Sequence, residues 1–327
     1  MSEGPSVRVR RPWDTIRERE ATPEGVYLRR RELVRAMGIG AAGALALGPA
    51  SLAAQDRAAV APEVRARFPG RPSPRYALDR PLTDRAIAAR YNNYYEFTTD
   101  KERVAALAAR FEARPWTVEV RGHCRRPGVF DVDRLIRELP LEERLYRFRC
   151  VEAWAMAVPW SGFPLSALLA RVEPTSQARF VRFVSFTRPE QAPGQRTQTW
   201  YPWPYFEALR MDEAMNELTL LAVGIYGAPL PNQHGAPIRL VTPWKYGYKS
   251  PKGIVKIELL EEQPETFWHQ LQPAEYSFLS NVNPAVPHPR WSQATERMLG
   301  TDERRPTLLY NGYAAQVASL YRDPERG

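Results

Sequence analysis

The 327 residues are 44% hydrophobic and 25% charged with a net charge of +9, the balance of a soluble globular chain long enough to bury a substantial core. The positive charge comes almost wholly from arginine and forms no extended basic stripe interleaved with aromatics, which argues against a nucleic-acid surface. Two cysteines, Cys124 and Cys150, are too few for a disulfide framework, a CxxC zinc site or a CxxCH haem site, so any haem must sit on a separate chain.

In chain order the first signal is Arg30-Arg31-Glu32-Leu33-Val34-Arg35, followed by a stretch to Ala54 dominated by alanine and glycine. These residues contribute too little transfer free energy for a membrane span. Residues 1–54 therefore read as a signal peptide of the twin-arginine kind, with Ser51-Leu52-Ala53 offering small residues for cleavage. The alternative is a chance arginine pair before an internal helix. Twin-arginine export carries folded proteins, so the reading predicts a periplasmic protein whose cofactor is fitted before it crosses. Residues 55–90, rich in proline and arginine, read as an extended arm, and residues 91–327 as the compact catalytic domain.

Within that domain, alternation of apolar and charged residues predicts strands at 116–121 and 144–149, with further strands at 180–186, 218–226, 237–241 and 254–260. Helices are predicted at 104–111, 133–139, 165–172 and 212–215. Many short strands, scattered helices and abundant proline predict an α+β fold with mixed sheets rather than a regular βαβ repeat. No GxGxxG or GKS/T loop occurs, so neither a dinucleotide fold nor a P-loop is indicated.

Lysine occurs only at Lys101, Lys245, Lys249, Lys252 and Lys256, and its crowding into one stretch suggests a local anionic ligand. A solvated loop is the plainer alternative, but Trp244, Tyr246 and Tyr248 in the same stretch make it amphipathic. In the predicted strand ending at Cys150, Tyr146, Phe148 and Cys150 share one face while Arg147 and Arg149 share the other. A lone cysteine is most often a small buried hydrophobe. As a thiolate it is also a soft ligand, and neighbouring arginine should favour its ionisation.

Five ordered stretches carry a resemblance: Tyr91-Asn92-Asn93-Tyr94-Tyr95-Glu96-Phe97, Arg149-Cys150-Val151-Glu152-Ala153-Trp154, His234-Gly235-Ala236-Pro237-Ile238-Arg239, Pro243-Trp244-Lys245-Tyr246-Gly247-Tyr248-Lys249, and the run from Asn283 to Arg297 containing Trp291-Ser292-Gln293-Ala294-Thr295-Glu296-Arg297. Together they resemble the molybdopterin-containing catalytic subunits of the periplasmic protein-methionine-sulfoxide reductase system, a branch of the sulfite oxidase superfamily. The resemblance implies a sulfite-oxidase-type core, one molybdenum-molybdopterin per chain with no haem in this chain, and Cys150 as the metal-ligating and catalytic side chain. It further implies cofactor contacts at Asn92, Tyr95, Glu96, Cys150, Ser185, His234, Arg239, Ser250, Pro251 and Lys252. Two positions depart from the reductase pattern, which has Asn where this chain has His234 and Thr where it has Ser185. Serine keeps the hydroxyl, and histidine before Gly-x-Pro-x-Arg is what sulfite oxidases carry.

The implied activity is reduction of methionine sulfoxide in periplasmic proteins, a repair reaction, with electrons from a membrane-embedded haem-binding subunit. Two alternatives stay open: a sulfite dehydrogenase using the same cofactor, and a cofactor-free secreted module in which Cys124 and Cys150 form a disulfide.

Overall fold

A computed structural model describes residues 60–321. Residues 1–54, read from sequence as an export signal, and the first residues of the predicted arm lie outside the described residues. From residue 60 onward the segment read as an arm buries Val60, Val64, Tyr76 and Ala88, and its strand β1 (Arg71–Pro72) pairs in parallel with the outer side of a large sheet.

Among the described residues thirteen strands follow in order: β1, β2 (Thr117–Gly122), β3 (Gly128–Asp131), β4 (Glu142–Arg149), β5 (Trp154–Pro164), β6 (Phe180–Ser185), β7 (Phe206–Arg210), β8 (Leu220–Ile225), β9 (Ala228–Pro229), β10 (Arg239–Val241), β11 (Ile254–Leu260), β12 (Thr295–Met298) and β13 (Arg304–Pro306). Eight of them form one sheet along β1-β4-β5-β12-β13, with β8 also on β5 and carrying β9 and β10; the other five form a second sheet in the order β3-β2-β11-β6-β7. Each sheet contains one or more parallel pairs among antiparallel ones. The fold is thus α+β with mixed sheets and short helices, as the sequence predicted.

The six predicted strands and four predicted helices are all present, with ends moved by a few residues. Seven strands were not predicted, and the largest of them is β5, the hub of the large sheet, where β4, β8 and β12 all pair. Its residues from Trp154 to Phe163 are all buried, so no alternation marks it, and Pro159 and Gly162 punctuate it as a loop would be punctuated.

Two features of this framework position the cavity described next. A tight turn at residues 150–153 joins β4 to β5, closed by Cys150 N–H donating to the Trp154 carbonyl at 2.9 Å and Ala153 N–H to the Cys150 carbonyl at 3.1 Å, with Ala153 at φ 67°. The segment before β10 turns at Gly235, whose φ of +99° suits glycine and where an added Cβ would sit 2.6 Å from Cβ of Lys252. That close approach brings His234, Arg239 and Lys252 to one wall.

Candidate active site

Where the β4–β5 turn meets the Gly235 turn lies a cavity of about 460 Å³. Asn92, Tyr95, Glu96, Cys150, His234, Arg239, Ser250, Pro251 and Lys252 all line it. Ser185 does not; its hydroxyl, 1% exposed, donates to the Lys252 carbonyl at 2.7 Å and fixes the backbone behind the wall.

Cys150 ends the face carrying buried Tyr146 and Phe148, as the alternation predicted. Arg149 takes the opposite face but is no surface group. It is fully buried, donates to the Cys150 carbonyl and, at 2.8 Å, to Gln293 Oε1, and lies 3.4 Å from Glu296. Arg149 does lower the Cys150 thiol, as expected, but the effect is outweighed. Burial, with the Glu152 carboxylate adding to it, pushes the thiol up to about 12, and Arg149 and Lys101 offset only part of this. Without a metal, Cys150 is a neutral thiol; a cation with vacant soft coordination is what would draw out its proton.

Around the sulfur stand groups that sequence reasoning did not single out. Asn93 Nδ2 donates to Cys150 Sγ at 3.3 Å, Glu152 N–H reaches the same sulfur at 3.4 Å, and the Glu152 carboxylate is held by Lys101 at 3.0 Å and by the Trp154 indole at 3.2 Å. Asn93 and Glu152 sit inside quoted motifs, so the signal was present; nothing in sequence spacing shows that residue 93 folds back onto residue 150.

The opposite wall is basic. Arg239 is 2% exposed and donates only to carbonyl oxygens, those of His234 at 3.1 Å, Leu240 at 3.3 Å and Ser250 at 3.5 Å. Burial pushes its guanidinium down to about 10. His234 is held down to about 3 by burial, then by Arg239 and Lys252, so its ring is neutral, and its Nδ1 has no hydrogen-bond partner. Burial and Arg239 lower Lys252, against the pull of Glu96, whose own carboxyl burial raises despite Lys252. Lys252 Nζ donates to the Asn93 carbonyl at 2.7 Å, linking this wall to the sulfur.

The other members of the lysine cluster are elsewhere. Lys245 is buried against Glu213 at 2.6 Å with Asn281 Oδ1 at 2.9 Å, and Lys249 against Glu207 at 2.7 Å. Both are internal ion pairs, so the expectation of one anion-binding lysine segment narrows to Lys252. Cys124 and Cys150 are both free, which removes the disulfide alternative for this structure.

The remaining wall is aromatic: Tyr95, Tyr205, Tyr248, Trp268, Tyr276 and Trp291 among others. Trp291 stacks on His288 at 3.8 Å and donates to the Val151 carbonyl at 2.8 Å, so the segment after Asn283 clasps the cysteine turn.

These residues suit a phosphorylated dithiolene cofactor. A buried guanidinium without a carboxylate partner and an orphaned imidazole nitrogen fit an anionic group that accepts and donates hydrogen bonds. Among the described residues no group of three or more His, Cys, Asp or Glu side chains is placed to hold a metal, so a metal at Cys150 would have to bring most of its ligands with it, as a pterin dithiolene does.

A family model described as "Oxidoreductase molybdopterin binding domain" matches residues 105–268. The protein-methionine-sulfoxide reductase catalytic subunit MsrP of Burkholderia mallei is 48% identical over 322 residues, covering 97% of this chain and 96% of that protein. Among solved structures, the sulfane dehydrogenase SoxCD from Paracoccus pantotrophus aligns with 47% of this chain and 40% of its own, at 17% identity and a TM-score of 0.40.

Proposed function

The chain belongs to the molybdopterin-binding oxidoreductases, among the protein-methionine-sulfoxide reductase catalytic subunits, and from that premise we propose that it reduces methionine sulfoxide in exported proteins at a molybdenum-molybdopterin centre held by Cys150. The observation that carries the proposal is the facing of a buried soft donor, Cys150, and an uncompensated buried cation, Arg239, across one cavity.

Arg239, Lys252 and the neutral ring of His234 would hold the cofactor's phosphate, with Ser250, Pro251, Asn92, Tyr95 and Glu96 shaping its bed. When bound, the cofactor supplies the two-electron centre for removal of the sulfoxide oxygen. The chain's own residues do the rest. Asn93 and the Glu152 amide orient the Cys150 sulfur, Trp291 and Gln293 pin the Val151 carbonyl of the same turn, and the aromatic wall offers apolar contact to a neutral thioether while thinning the water around it.

Sulfite oxidation with the same cofactor would require arginine free to bind a small dianion near the sulfur. The arginines lining the cavity are Arg239, in the basic wall, and Arg290, which Glu275 holds at 2.7 Å. That favours the reductase direction. Replacing Cys150 by Ser tests the assignment: sulfoxide reduction with a reduced dye should vanish while the fold persists, because a hydroxyl is a poor substitute for a thiolate on molybdenum. Full activity in that variant would sink it.

Electrons are proposed to come from a membrane-embedded haem subunit, since no haem-attachment motif occurs in this sequence. The periplasm is the proposed location, by twin-arginine export. Changing Arg30 and Arg31 together to Lys should strand the protein in the cytoplasm, and normal periplasmic recovery on cell fractionation would refute that route.

A further inference from the structure

The turn at residues 150–153 is clamped at three carbonyls. Trp291 Nε1 and Gln293 Nε2 donate to the Val151 carbonyl at 2.8 and 2.7 Å, the Arg297 N–H to that of Ala153 at 2.9 Å, and the Arg149 guanidinium to that of Cys150. Of these donors Arg149 alone carries a charge.

That charge is poorly matched. Arg149 is fully buried, and its other hydrogen-bond acceptors, Gln293 Oε1 at 2.8 Å and the Thr295 carbonyl and Thr307 hydroxyl at 3.3 Å, are neutral. Its acidic partner Glu296, itself buried, stands 3.4 Å away and lies nearer to a second buried cation, Arg80, at 2.6 Å. The other partner of Arg80, Asp79, is half exposed and shared with Arg147. Bonds to neutral acceptors do not require a charge, and burying one short of its counter-ion is costly. The excess lies one residue from Cys150, away from the water that would screen it. Glu152 and Lys101, the other charges at the turn, face each other at 3.0 Å and largely offset.

We propose that Arg149 sets the reduction potential of the metal bound at Cys150, with Glu296 and Arg80 as positioning residues that fix how much of its charge is left uncompensated. The inference rests on the molybdenum reading and deepens it. Reduction adds negative charge at the centre, so a buried cation one residue from the ligand favours the reduced form, and a carboxylate beside that cation opposes it. The clamp explains why the turn is rigid; the mismatch of two buried arginines over one buried carboxylate explains why one of its donors is charged.

The experiment titrates the molybdenum-loaded protein against redox dyes and reads the midpoint potential of the metal from the paramagnetic signal of its half-reduced state. Glu296→Gln keeps the side-chain shape and removes the negative charge, so the potential should rise. Arg80→Met removes the competing cation and leaves Glu296 to Arg149, so the potential should fall. A unit charge acting over roughly 10 Å at an effective dielectric of about 20 moves the reduction equilibrium about tenfold, about 59 mV for one electron. The double variant loses one charge of each sign and should return close to the wild-type value. Neither residue lines the cavity, and opposite shifts that cancel are not what a loss of packing produces. Shifts of one sign, or an unmoved potential in either folded variant, would overturn the inference with the molybdenum reading intact. If a melting curve shows that Glu296→Gln does not fold, Arg80→Met decides alone, by a fall or its absence. A purified wild-type protein without molybdenum would overturn the reading itself, and the inference with it.

Discussion

Two sets of buried cations lie within one short stretch of chain, and they differ in what faces them. Lys245 and Lys249 each meet a buried carboxylate, Glu213 and Glu207, within hydrogen-bond distance. Arg239 meets only carbonyl oxygens, its neighbour His234 has no acidic partner, and Lys252 faces one carboxylate, Glu96, whose own ionisation burial opposes. The first set completes itself within the fold. The second is left with basic groups in excess over acid, an arrangement that is costly unless an anion arrives. Burial of a lysine or arginine therefore does not mark a ligand site; burial without a partner does.

The sharpest way to break that distinction is to disturb the complete set. Lys245→Met leaves Glu213 buried opposite an apolar chain, with Tyr321 OH still donating to it at 2.6 Å. Loss of one partner of a buried pair should cost about 3–5 kcal/mol of stability, read as a lower midpoint in denaturant, while molybdenum per folded molecule stays at the wild-type value. A variant that keeps its stability but loses its metal would mean that Lys245 belongs to the cofactor after all. Arg239→Met should do the reverse. Removing charge-assisted hydrogen bonds to a bound phosphate is worth about 2–3 kcal/mol, so cofactor affinity should fall roughly 30- to 150-fold while the apoprotein still folds. Metal analysis and a melting curve of the same preparation separate the two effects; unchanged cofactor content would refute the anion cradle.

The same contrast explains how much was readable before any coordinates. Cys150, Arg239 and His234 were legible because their motifs resemble those of a family. The β4 alternation was legible because a half-buried strand advertises its faces. Strand β5 was hidden by being buried on both faces. The roles of Lys245 and Lys249 were hidden for a different reason: their partners Glu213 and Glu207 lie more than thirty residues away in the chain, and no local pattern says which distant carboxylate folds against which lysine. Asn93 and Lys101 were missed in the same way, since both act on the cysteine turn from about fifty residues before it.

The smallest expected effect concerns proton uptake in the incomplete set. In the folded apoprotein His234 is held neutral down to about pH 3 by burial and by the charges of Arg239 and Lys252, whereas in the unfolded chain its ring titrates near its ordinary value of about 6.5. Below that value the unfolded state binds a proton that the folded state refuses. Stability from this group is therefore fully present above about pH 6.5 and is lost as pH falls towards 3, with a slope of at most about 1.4 kcal/mol per pH unit. Replacing His234 by Gln removes the titration while keeping an amide of similar reach. Urea denaturation of the apoproteins from pH 7 to pH 5 should show the wild type losing stability faster than the variant, and the difference should close above pH 7. Glu96 tempers the absolute slope, since its raised carboxyl pKa makes the folded state bind a proton over part of the same window. It does so in both proteins, so the comparison isolates His234. Parallel curves for the two proteins would show that the ring is protonated in the folded chain, which would require an acidic partner for His234 and would undo the distinction between the two sets of buried cations.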